Sequence, residues 1–269
     1  MSRGVTLRAL FRSFLKWWIE FWRGIEGPEL EPRFWHSHYL SHRATHHVLA
    51  RLGHRLNGVI IDIGAGTGHG AAYLDQGGTD YFPTDLSSGR DPDDRHISLK
   101  SVRVMQNCSA YDLPFSDSSF GGAMMLMVLE HLENPKIALS EAFRTLAPGG
   151  KFLASTPFAF PVHGAPHDFR RWTPAGLESE FRAVGFDIEE CIACGGLFSS
   201  LVLNWNLGWR SSVVENGRLT RLLVALGLPL CLIVQGTINL LALVLDRLDS
   251  RRALPLAIVI LARKPEEAL

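Results

Sequence analysis

Residues 59–70 read V-I-I-D-I-G-A-G-T-G-H-G, and no other stretch limits the fold as tightly. Apart from Asp62, residues 59–63 are β-branched, which suits a strand buried on both faces. Glycines then take alternate positions, Gly64, Gly66 and Gly68. A side chain there would block a sharp strand-to-helix turn or hold a ligand off the backbone. Residues 71–74 can open a helix whose N-terminus faces that ligand. The pattern is a loop for a nucleotide-type cofactor.

Two cofactors compete for it. The dinucleotide fingerprint G-x-G-x-x-G/A fails in the register of Gly64, because His69 occupies the last position. It is met only by Gly66, Gly68 and Ala71, away from the strand end. D-x-G-x-G-x-G directly off a strand instead resembles motif I of class I S-adenosylmethionine (SAM)-dependent methyltransferases. Residues 107–133, N-C-S-A-Y-D-L-P-F-S-D-S-S-F-G-G-A-M-M-L-M-V-L-E-H-L-E, and the later L-A-P-G-G decide between the two. They resemble the type 11 methyltransferase branch. There an acidic-Ala-x-x-Leu-Pro-Phe loop precedes a buried strand, then Glu-His, then Leu-x-Pro-Gly-Gly.

The resemblance covers residues 59–186. It implies an α/β fold, a doubly wound Rossmann-like sheet of seven strands with the last antiparallel, and SAM as cofactor. On that resemblance Gly64, Ala65, Gly66 and Gly68 hold the methionine and ribose portion, with Asp62 fixing the loop. Asp85, followed by Leu86, stands 21 positions beyond Gly64, the spacing at which a carboxylate accepts both ribose hydroxyls. Ser109, Ala110 and Asp112 lie near adenine, walled by Leu113, Pro114 and Phe115. Two positions depart from the family pattern. Ser109 stands where an acid usually meets the adenine amino group, and Gly121 stands where Asp usually follows Phe.

With 269 residues and 46% hydrophobic content, the chain can form one sizeable domain with additions. Its formal net charge is zero, so nothing points to nucleic acid as a partner. Four cysteines make no disulfide framework and fit a reducing cytoplasm; the lone pair Cys191 and Cys194 reads as strand thiols. Residues 5–25 repeat apolar and aromatic residues at helical spacing, with Arg8, Arg12 and Lys16 on another face. That suits an amphipathic helix on a membrane surface, or one packed on the domain's own core, and it rules out a signal peptide. Residues 1–33 therefore read as this helix and a linker, and residues 34–269 as the methyltransferase domain.

A second helix is expected over residues 34–52. His38, His42 and His46 share one of its faces, but no cysteine or carboxylate completes a site, and no metal is expected. In the family this helix covers cofactor and substrate, which makes Tyr39 and Arg43 pocket candidates. Strands are expected at 80–82, 123–129, 151–155, 186–194 and 254–263. Residues 156–177, T-P-F-A-F-P-V-H-G-A-P-H-D-F-R-R-W-T-P-A-G-L, follow a strand's carboxyl end, where substrate groups belong. Asp168, Arg170, Arg171 and Trp172 are the substrate candidates, and His163, His167 or His131 could be a general base. The loop's pattern looks like that of methyltransferases of glycan and cell-envelope biosynthesis. The alternative is that Asp168 and the arginines pair only to stiffen the loop.

Residues 197–252 form an apolar insertion before the last strand. Residues 222–245 carry no charge and could cross a bilayer. A single crossing would part the last two strands, and Gly227-Leu228-Pro229 and Gln235-Gly236 break the run. A helical hairpin on or in the membrane satisfies both constraints, as does a cap over an apolar pocket. The expected function is SAM-dependent O-methylation of a small-molecule, lipid-linked or glycan acceptor at the cytoplasmic face of the membrane. A non-catalytic membrane-associated scaffold and a nicotinamide oxidoreductase are the rivals.

Overall fold

A computed structural model describes residues 32–66, 68–75, 78–86, 108–215 and 218–266. The amphipathic stretch at 5–25 lies outside the described residues. Helix α1 (Tyr39–Gly53) leads into strand β1 (Gly58–Ile63), followed by β2 (Thr79–Thr84) and β3 (Phe120–Leu126). Helix α2 (Pro135–Thr145), strand β4 (Leu146–Pro157), helix α3 (Pro174–Val184) and strand β5 (Asp187–Cys194) come next. Helices α4 (Leu197–Glu215) and α5 (Arg218–Leu245) then precede β6 (Ala257–Arg263).

The strands form one sheet in the order β2-β1-β3-β4-β6-β5. β1 runs parallel to β2 and β3, and β3 parallel to β4, whereas β6 is antiparallel to both β4 and β5. Six strands are present among the described residues, against the seven expected; residues 87–107, between β2 and β3, are not among them. The chain reverses its direction of sheet growth at β1, so a crevice opens beyond the carboxyl ends of β1 and β3.

Packing follows strand alternation. Ile61, Ile63, Phe152 and Ile260 face α2 and α3, whereas Ile60, Met124, Leu153 and Val259 face α1. The same alternation sends Cys191 and Cys194 into different layers of the core, so the two thiols do not converge. Burial pushes them up to about 11 and about 12 respectively. The departure at Gly121 has a packing cause: a Cβ there would lie 2.5 Å from the carbonyl oxygen of Asn57.

Helix α5 corrects one expectation. It continues through Pro229 and Gly236, although the run was expected to break at both. Gly236 is a packing point: its missing Cβ would sit 2.6 Å from the Phe34 ring. Beside it, Gln235 donates to the Trp35 carbonyl at 2.7 Å, and Asn239 donates to the Phe34 carbonyl at 2.8 Å. A buried Asn206–Asn239 hydrogen bond at 3.0 Å ties α5 to α4. One face of α5 is thus closed by protein. Its outer face carries Leu230, Ile233, Val234, Leu240, Leu241 and Val244, all exposed. These positions recur at three- and four-residue spacing, as one helical stripe must.

Candidate active site

The glycine loop leaves β1 through backbone that only glycine adopts easily. Gly64 has φ +74° and Gly66 has φ +56°. A Cβ on Gly64 would stand 2.8 Å from Val128, whereas Gly66 has open space before it. The loop's amides Gly64 and Ala65 donate to the Thr84 carbonyl at 2.9 Å, which fixes it to the end of β2. After Gly68 the chain takes a short 3-10 turn, His69–Tyr73, in place of the expected α-helix.

Two carboxylates flank this loop. Asp85 accepts a hydrogen bond from the Gly66 amide at 2.8 Å. Asp62 is buried, accepts from the Tyr81 hydroxyl at 2.5 Å, and leaves no room for a side chain at Gly70. Burial pushes the Asp62 carboxyl up to about 6; the Tyr81 hydrogen bond opposes this and the Asp85 charge adds to it. The native state therefore binds a proton that the unfolded chain, with a carboxyl near 3.9, releases. That contribution is fully present below about pH 4 and is lost as pH rises through about 6. Glu141 and Glu190 are held below the usual carboxylate range by Arg144 and Arg51, and they act in the opposite sense. The stability of the protein minus that of Asp62→Asn should thus fall by about 2–3 kcal/mol between pH 4 and 7. Urea unfolding along that pH range measures it, and a flat difference would remove the shift.

A cavity of about 540 Å³ opens against the loop, within the range of small-molecule cofactor sites. Of the cofactor candidates, Asp62, Gly64, Ala65, Gly66, Asp85, Leu86, Ser109 and Ala110 line it, and Gly68 does not. Nor do Asp112 and Leu113. A one-residue bridge between Ser109 and Asp112 turns the segment, leaving Asp112 exposed and sending Leu113 into the core. Phe115 packs edge-on to Phe82 and Phe120. The cavity wall comes from Cys108 and Tyr111 in their place.

Met127, Val128 and His131 also line the cavity. Met127 holds φ +54°, a conformation rare for a side chain of its size, with its amide on the Ser155 carbonyl at 2.9 Å. His131 Nδ1 lies 2.6 Å from the His167 carbonyl oxygen. A carbonyl can only accept, so the proton is on Nδ1 and the Nε2 lone pair is free to act. His167 contributes that carbonyl, while its own residue is exposed. His163 stands beside His131, with ring centroids 4.9 Å apart.

The remaining substrate candidates are placed as braces. Arg171 grips the Asp168 carboxylate at 2.5 and 2.8 Å, and Asp168 also accepts the His163 amide at 2.9 Å. Arg170 donates to the carbonyls of Leu132 and Glu133 at 2.5 and 2.7 Å. Trp172 is buried in the core. Tyr39 packs with the α4–α5 cluster, and Arg43 is exposed and bonded to His47. Glu130, absent from the expected site residues, lies fully buried and faces His131 and His163. The Glu-His pair marked its position, but its burial is a tertiary fact.

A sheet that reverses at its first strand, with a glycine cradle there and a carboxylate ending the next strand, defines a nucleotide-cofactor α/β domain. Residues 61–154 match the family model of a methyltransferase domain, and this stretch is similar to class I methyltransferases of the type 11 branch. A probable S-adenosylmethionine-dependent methyltransferase of Mycolicibacterium smegmatis is 28% identical over 158 residues, covering 54% of this chain and 58% of that protein. The ubiquinone biosynthesis O-methyltransferase of Azorhizobium caulinodans is 29% identical over 167 residues, covering 55% and 65%. The chain thus spans somewhat over half the length of these curated relatives. Among solved structures the cyclase SpnF aligns with a TM-score of 0.53 at 19% identity, covering 82% of this chain and 79% of that one. That likeness is one of fold.

Proposed function

We propose that this protein is a SAM-dependent methyltransferase that methylates an oxygen of a small-molecule acceptor. When bound, SAM supplies an electrophilic methyl group on a sulfonium. The cradle suits that cofactor: an open glycine backbone, a carboxylate at ribose spacing and an apolar Leu86 flank share one cavity. Gly64 and Gly66 let the chain lie close to the methionine portion, Asp85 accepts the ribose hydroxyls, and Ser109 and Ala110 border the base. His131 Nε2 faces the acceptor, where it can receive the hydroxyl proton. Orientation in a site shielded from water supplies much of the acceleration.

The observation that carries this reading is the Asp85–Gly66 contact at the cavity mouth. Calorimetric titration with SAM tests it. Asp85→Ala should weaken SAM binding by about 1–3 kcal/mol while leaving the fold intact. Wild-type protein that binds no SAM, or a variant of equal affinity, would sink the assignment.

The acceptor is proposed to be lipid-linked or glycan-linked and met at a membrane surface. The outer stripe of α5 supports this, together with Leu201 and Trp205 exposed on α4. An apolar patch of this extent marks an interaction surface. Residues Leu230–Leu248 are long and apolar enough to span a bilayer. The inner face of α5 is closed against Phe34–His36 and α4, so the helix is read as lying on the membrane. The basic helix expected at 5–25 adds attraction to anionic lipid of about 1 kcal/mol per basic residue, screened by salt. Full-length protein should therefore float with anionic liposomes at low and high salt. The double variant Ile233→Glu/Leu241→Glu should lose the salt-resistant part, and equal flotation of the two would place the stripe elsewhere.

A further inference from the structure

The turn Leu129–His131 directs Glu130 inward. Its side chain is wholly buried, and among the described residues no donor lies within normal hydrogen-bond distance of either carboxyl oxygen; its charge instead draws the His163 pKa upward. Proteins rarely bury a carboxyl without satisfying it, because the lost hydration costs several kcal/mol. What faces Glu130 Oε1 is a pair of imidazole nitrogens, His131 Nε2 at 3.8 Å and His163 Nε2 at 3.7 Å. The ligand-type atoms of the three residues all lie within 4.8 Å of one another.

Both rings are held from behind. His131 Nδ1 is on the His167 carbonyl at 2.6 Å; His163 Nδ1 is 3.2 Å from the Pro161 carbonyl and 3.4 Å from Asp168 Oδ2. Asp168 is itself fixed by Arg171. Orienting each Nδ1 with a carbonyl or carboxylate while Nε2 points at a shared centre is how proteins set metal-binding histidines.

We propose that Glu130, His131 and His163 bind a divalent transition-metal cation, which holds the acceptor oxygen at the methyl-transfer cavity. Two neutral imidazoles and one carboxylate suit zinc, iron(II), cobalt(II) or manganese(II), and leave positions open for further oxygen ligands. With metal–ligand bonds near 2.0–2.2 Å, neighbouring ligands of a tetrahedral ion sit roughly 3.4 Å apart. The observed 3.7 and 3.8 Å need only a small closure. His131 lines the cavity and both rings are about one-third exposed, so the open positions face the acceptor's side.

The metal site stands on these residues alone; only its role rests on the methyl-transfer reading. In that role the acceptor hydroxyl loses its proton to solvent on coordination. Its oxygen lone pair then forms the new O–C bond as the S–C bond breaks, and that electron pair stays on sulfur. His131 in this state acts as a ligand.

Cobalt(II) is the probe, titrated into full-length protein stripped with chelator and followed by visible d–d absorption. One equivalent should bind. Glu130→Gln and His163→Gln should each weaken it at least about tenfold, while retaining SAM affinity as a sign of an intact fold. The double variant His42→Gln/His46→Gln, on the α1 histidine face, should bind cobalt normally. Absence of cobalt bands in the wild type overturns the proposal. So does binding that survives Glu130→Gln, or that is lost with His42 and His46. Cobalt binding through Glu130 in a protein that ignores SAM would leave the metal site standing and refute the methyl-transfer reading.

Discussion

His131→Ala should lower turnover by about 10²–10⁴-fold, the range for loss of a positioned acid–base group, with little change in SAM affinity. The expectation rests on geometry: His131 lines the cavity, and the His167 carbonyl at 2.6 Å leaves Nε2 as the reactive atom. Whether Nε2 takes the proton or holds a cation, its removal empties the acceptor side of its nearest polar group. His167→Ala should stay close to wild type, because the backbone carbonyl survives the substitution. Single-turnover assays under saturating SAM separate the two. A His167→Ala enzyme as slow as His131→Ala would move the function off His131.

Asp168→Ala should cost about 3–5 kcal/mol of stability, the penalty for removing one partner of a buried charged pair. The Asp168 side chain is only 2% exposed and its Arg171 partner 24%, so solvent screens the pair weakly. Arg171 holds the Asp168 carboxyl well below the usual carboxylate range, despite the opposing effect of burial. A depressed carboxyl contributes stability above its unfolded value near 3.9, and that contribution is lost as pH falls below it. For a chain of this size the melting temperature should drop by roughly 6–15 °C at neutral pH. The loss should shrink in acid, because the wild type gives up the same pair there. Scanning calorimetry at the two pH values decides it; a drop under about 2 °C at neutral pH would mean that the loop is pinned by other contacts.

The sequence also raised the possibility that Asp168 and the two arginines stiffen their loop, and their observed partners match that role. Arg170 ends on two carbonyls, Arg171 on Asp168, and Trp172 in the core. An arginine in a loop carries the same local signature whether it meets a substrate or a backbone carbonyl. Only the path of the neighbouring chain distinguishes the two.

What sequence alone determined is what local backbone geometry and side-chain period encode. Alternate glycines require a turn that other residues resist, so Gly64 and Gly66 announced the cradle, and both have positive φ. The motif resemblance carried the α/β class, and the 21-residue spacing from Gly64 marked Asp85, which meets the Gly66 amide. Tertiary structure decided which distant groups meet. Glu130 and His163 are 33 residues apart, and nothing local brings them within 3.7 Å; the sheet does, by setting the end of β3 beside the end of β4. It also packed α5 at Gly236 against Phe34 and Trp35, where the sequence suggested a break. Burial is a sum over neighbours from the whole chain, and for that reason a buried carboxyl facing two imidazoles cannot be read from the residues beside it.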